Sequence, residues 1–390
     1  MKKGFIAVTQ KEFAGIFSNP RILVILILPI ILFSFYGLIF SRGVPTDLPV
    51  AIIDQDHSVL SREFIRDLDA TSMIKIDRYV QDEQQAIKLL RTEKVYAFLL
   101  IPDNFQKDIF RGKTANAMFY ENNDFLTPGG MLSKAFLTAG GEFSASLRVN
   151  ALMQQGHSIH QAGTSVQPIR LDSHILFNPY TNYSYYLGLA LMPMSLQLLV
   201  MLTTIYVLGK MLKNREGKEL YLLSGENVWA AFWGKMIPFT VLFIVIAVYM
   251  LSYLYWYMGI PMKGNYFTVL SLTILLVLVY QLMALFFVSV SKEFRTLATI
   301  AGGYSSLSFS FVGYTFPADG MPKVIQAMDY IFPFSSYARM YINIAVRDNP
   351  FQYSLPLFTG LMVFSIIGLL SLPRFRKILQ KGGYDAQTIG

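Results

Sequence analysis

The chain has 390 residues, 53% of them hydrophobic and only 15% charged, with no cysteine. A soluble domain carries roughly a quarter charged residues; here the shortfall is concentrated in uncharged runs of about twenty residues, as in membrane-spanning helices. The 33 basic and 25 acidic residues give +8, in such a chain first a topology signal; no basic patch interleaved with aromatics argues for nucleic acid, and a disulfide framework or thiolate metal site is excluded.

Residues 1–21 are an amphipathic leader. Phe5, Ile6, Phe13, Ile16 and Phe17 stand among Lys2, Lys3, Lys11 and Glu12, which predicts a helix lying in the membrane interface. Residues 22–40 are the first span, without a single charge. The run is longer than a signal-peptide core and Ser41-Arg42-Gly43 is a poor cleavage site, so it is read as a retained helix. Residues 41–185 are mixed and charged, with strands expected at Leu48–Asp54, Met73–Val80, Val95–Ile101 and Ala115–Tyr120. Helices are expected at Ser58–Ala70, Asp82–Glu93 (Asp82 as N-cap), Asp103–Arg111 and from Met131 to about His157. Gly156–Gln167 reads as a mobile loop and Ile169–Phe177 as an extended return to the membrane. This alternation predicts a small α/β domain.

Residues 186–373 supply five more spans, near Tyr186–Gly209, Met236–Met258, Phe267–Val290, Leu297–Tyr314 and Tyr353–Leu372. Lys2, Lys3, Lys11, Arg21, Lys210, Lys213, Arg215, Lys218, Lys235, Lys292, Arg295, Arg374, Arg376, Lys377 and Lys381 all fall on one side. The two short loops opposite hold only Lys263, Lys323, Arg339 and Arg347. Positive-inside then places both termini, with the 374–390 tail, in the cytoplasm and the 41–185 domain outside. The expected fold is a membrane all-α six-helix bundle with an inserted extracytoplasmic α/β domain. Near 315–345, Phe316-Pro317, Met321-Pro322 and Phe332-Pro333 break a stretch too apolar for an ordinary loop. Short helices dipping into the outer leaflet are predicted there.

Several short motifs follow one another along the chain: Lys11-Glu12-Phe13, Asn19-Pro20-Arg21 and Pro29; Leu48 to Asp56 with Ser58, Leu60 and Ser61; Ile101-Pro102 with Phe105 and Gly112. Phe177-Asn178-Pro179, Gly313-Tyr314, Phe316, Pro317, Met321, Pro322 and Pro333 complete the series. In that order and spacing the chain resembles, over almost its entire length, the type-2 ABC exporter permeases, in the branch with a large external domain after the first span. These are six-helix membrane halves that pair with an ATPase. The resemblance implies an interfacial elbow helix at the N-terminus, a re-entrant segment at Phe316–Pro333, a second permease half, and cytoplasmic ATPase subunits holding ATP and Mg. It also implies a coupling helix in the 210–235 loop, formed here by Arg215, Glu216, Gly217, Lys218, Glu219 and Leu220. Glu216, Gly217 and Glu219 match the family's acidic helix, Lys218 replaces the usual Thr, and Ser224-Gly225 stands near the usual Pro.

No phosphate-cradling Gly-x-x-x-x-Gly-Lys-Ser/Thr loop exists in the chain, and Leu223-Ser224-Gly225-Glu226 lacks the second Gly of an ABC signature. The chain is therefore expected to need no cofactor and to be no enzyme, with ATP hydrolysed elsewhere. Glu216 and Glu219 also read as a solvated helix face balanced by Lys213, Arg215 and Lys218. His157 and His160 are spaced for one helix face and His174 follows Asp172, but they sit in a Gly- and Ser-containing stretch, so no metal is expected, and Asp54 with Asp56 reads as a strand-end turn. The spans hold no Asp, Glu, Lys or Arg, which argues against an ion-coupled transporter. Their polar exceptions are Gln197, Gln281, Ser305, Ser306, Ser308 and Ser310, which line a translocation surface or hydrogen-bond neighbouring helices. The expected function is ATP-driven export of a hydrophobic or amphipathic substrate, with membrane lipids around the bundle and room for a periplasmic adaptor at the external domain. The rivals are a receptor or assembly scaffold acting through that domain, and an intramembrane enzyme.

Overall fold

A computed structural model describes residues 3–18, 20–124, 126–166, 176–178, 181–291, 293–314 and 316–384. Lys2, His174, Pro179, Lys292, most of the extended return at 169–177 and the end of the tail lie outside the described residues. The chain divides into two compact units, Met1–Gly43 with Ile175–Gly390, and Val44–His174.

The first unit opens with α1 (Phe5–Ser18) and α2 (Pro20–Ile39). The amphipathic pattern of α1 is used fully: Val8 and Ile16 are buried where the helix lies along a later helix of the same unit. Helix α2 is apolar all round, yet Val24, Ile31 and Leu38 are at least 60% exposed. An uncovered apolar helix face suits lipid or another helix, not water.

The second unit runs β1 (Leu48–Asp54), α3 (Val59–Asp69), β2 (Ile74–Tyr79), α4 (Glu83–Arg91), β3 (Ala97–Ile101), α5 (Phe105–Phe110), β4 (Met118–Glu121), α6 (Leu126–Gln154) and α7 (Ile159–Val166). The sheet order is β2-β1-β3-β4, with β1 parallel to both its neighbours and β4 antiparallel to β3. Period-2 alternation sorts its residues. Val50, Ile52, Leu99 and Ile101 face Phe64, Leu68 and Phe143 from α3 and α6, whereas Ala51, Ile53, Phe98 and Leu100 pack with Ala86 of α4. Ser58 caps α3 by accepting from Ser61 N, and Asp82 caps α4 by accepting from Gln85 N. The mobile loop expected at Gly156–Gln167 is largely helical instead. Its start is a reciprocal capping box: Ser158 Oγ accepts from Gln161 N, and Gln161 Oε1 accepts from Ser158 N.

The chain then returns to the first unit with α8 (Leu189–Lys213), α9 (Gly217–Leu223), α10 (Val228–Ser252), α11 (Tyr266–Val290), α12 (Phe294–Phe311), α13 (Lys323–Met328), α14 (Pro333–Tyr341), α15 (Leu355–Leu370) and α16 (Leu372–Lys381). Asn227 and Asn265 cap α10 and α11 through side-chain oxygens. Among the described residues five helical stretches are long and apolar enough to cross a membrane: Ile22–Ile39, Ser184–Lys213, Val228–Tyr257, Tyr266–Val290 and Phe351–Lys381. Six had been expected from the uncharged runs. Helix α12 stands where the fifth was read, but Arg295, Gly302, Gly303 and four serines dilute its apolar character. Helix–helix contact in this unit is close: a Cβ at Gly368 of α15 would stand 2.7 Å from the Leu282 carbonyl of α11. Three single π-helical turns, Ser184–Gly188, Tyr253–Tyr257 and Ile342–Val346, adjoin helix ends in this unit.

Candidate functional site

At the opposite end, α8 stops at Lys213 and the chain turns through Asn214, Arg215 and Glu216, with Arg215 in the left-handed region at φ 60°. Helix α9 is two turns long and strictly two-faced. Gly217, Leu220, Tyr221 and Ser224 are buried, while Arg215, Glu216, Lys218, Glu219 and Leu222 are exposed, the i, i+3, i+4, i+7 period of a helix seated on a support. A Schellman motif closes it: Gly225, at φ 72°, donates to Leu222 O, and Glu226 N to Tyr221 O.

Three elements hold this helix. From the C-terminal side, α16 places Leu372, Phe375 and Leu379 inward, Arg376 Nε donates to Tyr221 Oη at 3.0 Å, and Gly217 N donates to Gly382 O at 3.0 Å. The segment expected as a tail is thus a packed helix followed by a Gly382-Gly383 turn and a buried Tyr384. From the N-terminal side, Gly4 N donates to Leu223 O at 2.8 Å and Lys11 Nζ reaches Glu219 Oε1 at 2.6 Å. That hydrogen-bonded ammonium holds the Glu219 carboxyl below its ordinary pKa. The pair contributes above the usual carboxylate range and fades as pH falls through the lowered value. With both side chains more than half exposed, its worth is about 1 kcal/mol or less.

The next residue does more. Glu12 Oε2 meets Lys235 Nζ of α10 at 2.7 Å, with side-chain exposures of 18% and 11%. Gly234 lets α1 come this close, since a Cβ there would stand 2.9 Å from Val8 Cβ. Replacing Glu12 by Gln leaves an unpaired ammonium in a largely dry contact. We expect a loss of about 1–3 kcal/mol, between the surface and fully buried limits. The fall in thermal midpoint of the purified chain measures it, and Glu12→Leu with Lys235→Met is expected to recover much of it. Sequence reasoning missed Glu12, Lys235, Arg376 and Gly382. The only local signal was the adjacent Lys11-Glu12 pair, whose partners lie 208 and 223 residues away.

The polar residues of the spans are split. Gln197 Nε2 donates to Ser305 O at 3.0 Å and Ser308 Oγ at 2.9 Å, joining α8 to α12. Gln281 Oε1 accepts from Thr240 Oγ1 at 2.9 Å, joining α11 to α10. All five are buried; Ser306 and Ser310 lie on the exposed face of α12 with Gly303. Further on, Pro317 precedes a short 3₁₀ turn, Pro322 precedes α13, and Pro333 opens α14. Met321 lies in the same connection, and Phe316 is exposed like Val324 and Tyr330. Helix α14 instead buries Phe334, Tyr337 and Tyr341 in the bundle core. Among the described residues no three His, Asp or Glu are grouped to hold a metal ion.

Long apolar helices, a two-faced helix on the connection after α8 and one inserted α/β unit define a multi-pass membrane protein. Residues 20–372 match the model of the ABC-2 family transporter protein, and the chain belongs to that family. It is also similar to the linearmycin resistance permease protein LnrN of Bacillus subtilis (strain 168), at 31% identity over 123 residues. That match spans 30% of this chain and 30% of the relative.

Proposed function

We propose that the chain is the membrane half of an ATP-driven exporter in a bacterial inner membrane, working with cytoplasmic ATPase subunits that bind ATP and Mg and with a second permease half. The observation that carries this reading is the geometry of α9: a charged outer face on a helix clamped by both ends of the chain. A push on Arg215, Glu216, Lys218 and Glu219 is transmitted to α1 through Lys11 and to α16 through Tyr221 and the Gly217–Gly382 contact. Through Glu12 and Lys235 it reaches α10. In this reading α12 is the sixth span, its exposed Ser306 and Ser310 face the translocation path or the second half, and Phe316–Pro333 is the re-entrant segment. The cargo is hydrophobic or amphipathic, because residues 22–39, 186–209, 236–258, 267–290 and 353–372 carry no Asp, Glu, Lys or Arg. The 44–174 unit lies outside, where a periplasmic adaptor would meet it.

Pull-down and ATPase assays of the chain with the ATPase encoded beside it test the partnership. ATP hydrolysis only by the complex is expected, and an ATPase that never co-purifies overturns the reading. Because the protein has no cysteine, single cysteines report orientation cleanly. In intact spheroplasts an impermeant maleimide is expected to label Tyr330→Cys and to spare Leu222→Cys.

A second reading, a receptor acting through the inserted unit, is favoured by one observation. A cleft of about 760 Å³ lined by Gln55, Asp56, Ser58, Asp103, Lys107 and Arg111 opens at the carboxyl ends of β1 and β3. That is the switch point of the sheet, where α/β domains bind ligands. On this reading Arg111→Glu abolishes function and changes in α9 do not.

A further inference from the structure

Two neighbouring cavities lie in the first unit, at the end of the bundle from which the chain leaves for the inserted unit. The larger, about 420 Å³, is lined by Tyr186, Tyr314, Arg339, Asn343, Arg347 and Leu357, among others. The smaller, about 140 Å³, shares Tyr186, Tyr314 and Ile342 with it. Two of the three π turns, Ser184–Gly188 and Ile342–Val346, form their walls, and such turns are rare and concentrate at functional sites. The larger volume falls within the ~300–1,000 Å³ range of small-molecule sites.

Among the described residues the charge in this cleft has one sign, and no carboxylate lines either cavity. Arg339 is paired with Asp329, but among the described residues the Arg347 guanidinium has only the Asn343 amide oxygen, at 3.1 Å. The Tyr314 carbonyl accepts from the Tyr186 hydroxyl, which joins two of the aromatic lining residues. Apart from Asn178, the rest of the described lining is apolar or aromatic. A guanidinium fork recognises planar or tetrahedral oxyanions, and an apolar floor recognises a hydrocarbon tail.

We infer that this cleft binds an amphiphile with an anionic headgroup, the acid held by Arg347 with Arg339 and the head of the tail packed on Tyr186, Tyr314 and Ile342. Two sources share that chemistry: an acidic phospholipid resident in the membrane, and an acidic amphiphile being exported. The site rests on the reading of this unit as membrane-embedded and not on coupling to an ATPase.

Native mass spectrometry of the full chain with phosphatidylglycerol and phosphatidylcholine tests it. At least a ~10-fold preference for phosphatidylglycerol is expected, as one charge-assisted contact supplies. Arg347→Gln, which breaks no ion pair among the described residues, is expected to erase most of that preference with the fold intact. Arg339→Gln strands the partly buried Asp329 and is therefore not the deciding variant. Equal binding of the two lipids, or a preference untouched by Arg347→Gln, overturns the inference. In proteoliposomes with the ATPase, ATP-dependent movement of labelled phosphatidylglycerol to the other leaflet identifies cargo; selective binding without movement identifies a resident lipid. A chain that couples to no ATPase yet keeps the preference sinks the exporter reading and leaves this site standing.

Discussion

Charge reversal of the outer face of α9, Glu216→Lys with Glu219→Lys, is expected to lower the ATPase activity of the complex by at least tenfold and to leave the chain folded. Among the described residues the Glu216 carboxylate accepts only from Asn214 Nδ2, at 3.0 Å, and that of Glu219 only from Lys11. Neither carboxylate is packed, so the cost to the fold is confined to one exposed pair of about 1 kcal/mol. Against a partner surface the change is four units of charge. Each opposed contact at about 4 Å is worth between ~1 and ~4 kcal/mol as the effective dielectric drops from water to a protein surface. Two such reversals exceed the ~1.4 kcal/mol that separates tenfold steps in affinity. Pull-down across a salt series separates the possibilities: rim electrostatics weaken wild-type binding as salt rises and bring the two proteins together at high salt. A variant that binds and hydrolyses like wild type at low salt removes α9 from the docking surface.

How much of this was readable beforehand depends on where each residue's partners lie. Uncharged runs near residues 22–40, 186–209, 236–258, 267–290 and 353–372 became five long helices, because lack of charge over that length is a local property. The α12 stretch read the same way, but its glycines and serines make it the least apolar of the set. Ser158 and Gln161 stood in the sequence as a capping box, yet a Gly, a Ser and two His nearby outweighed it, and α7 was read as loop. The charged face of α9 was legible from Arg215 to Leu220. Its support was not, since Lys11, Arg376 and Gly382 are brought to it only by the folded bundle. The same holds for Gln197 and Gln281: composition marked them as polar exceptions, and only packing shows Ser305, Ser308 and Thr240 opposite them. Nothing local distinguishes Arg347 from other loop cations; that no carboxylate pairs with it among the described residues is a fact of the cleft.

The seat of α9 gives the second large effect, expected for Gly217→Val. A Cβ at Gly217 would stand 2.8 Å from Gly382 O and 3.1 Å from Gly382 C. Both are main-chain atoms, and the Gly217 amide already donates to that same carbonyl at 3.0 Å. A flexible side chain could swing away, but this turn cannot readily do so. Gly382 and Gly383 hold φ angles of 92° and 159°, and Tyr384 beyond them is anchored by its hydroxyl to Val288 O at 3.2 Å. Helix α9 must therefore lift from α16, losing the Tyr221–Arg376 hydrogen bond, at a strain of about 1–3 kcal/mol for the overpacked contact. Its charged face is unaltered, so the ATPase is still expected to bind. Transmission is what fails: ATP hydrolysis in the complex persists and transport stops. The exposed Leu222, replaced by the only cysteine, reports the movement directly, and its labelling rate is expected to rise several-fold when Gly217→Val is added. Unchanged labelling with undiminished transport would mean that the seat of α9 on the C-terminal turn is not the route by which force reaches the bundle, leaving the Lys11–Glu219 and Glu12–Lys235 pairs to carry it.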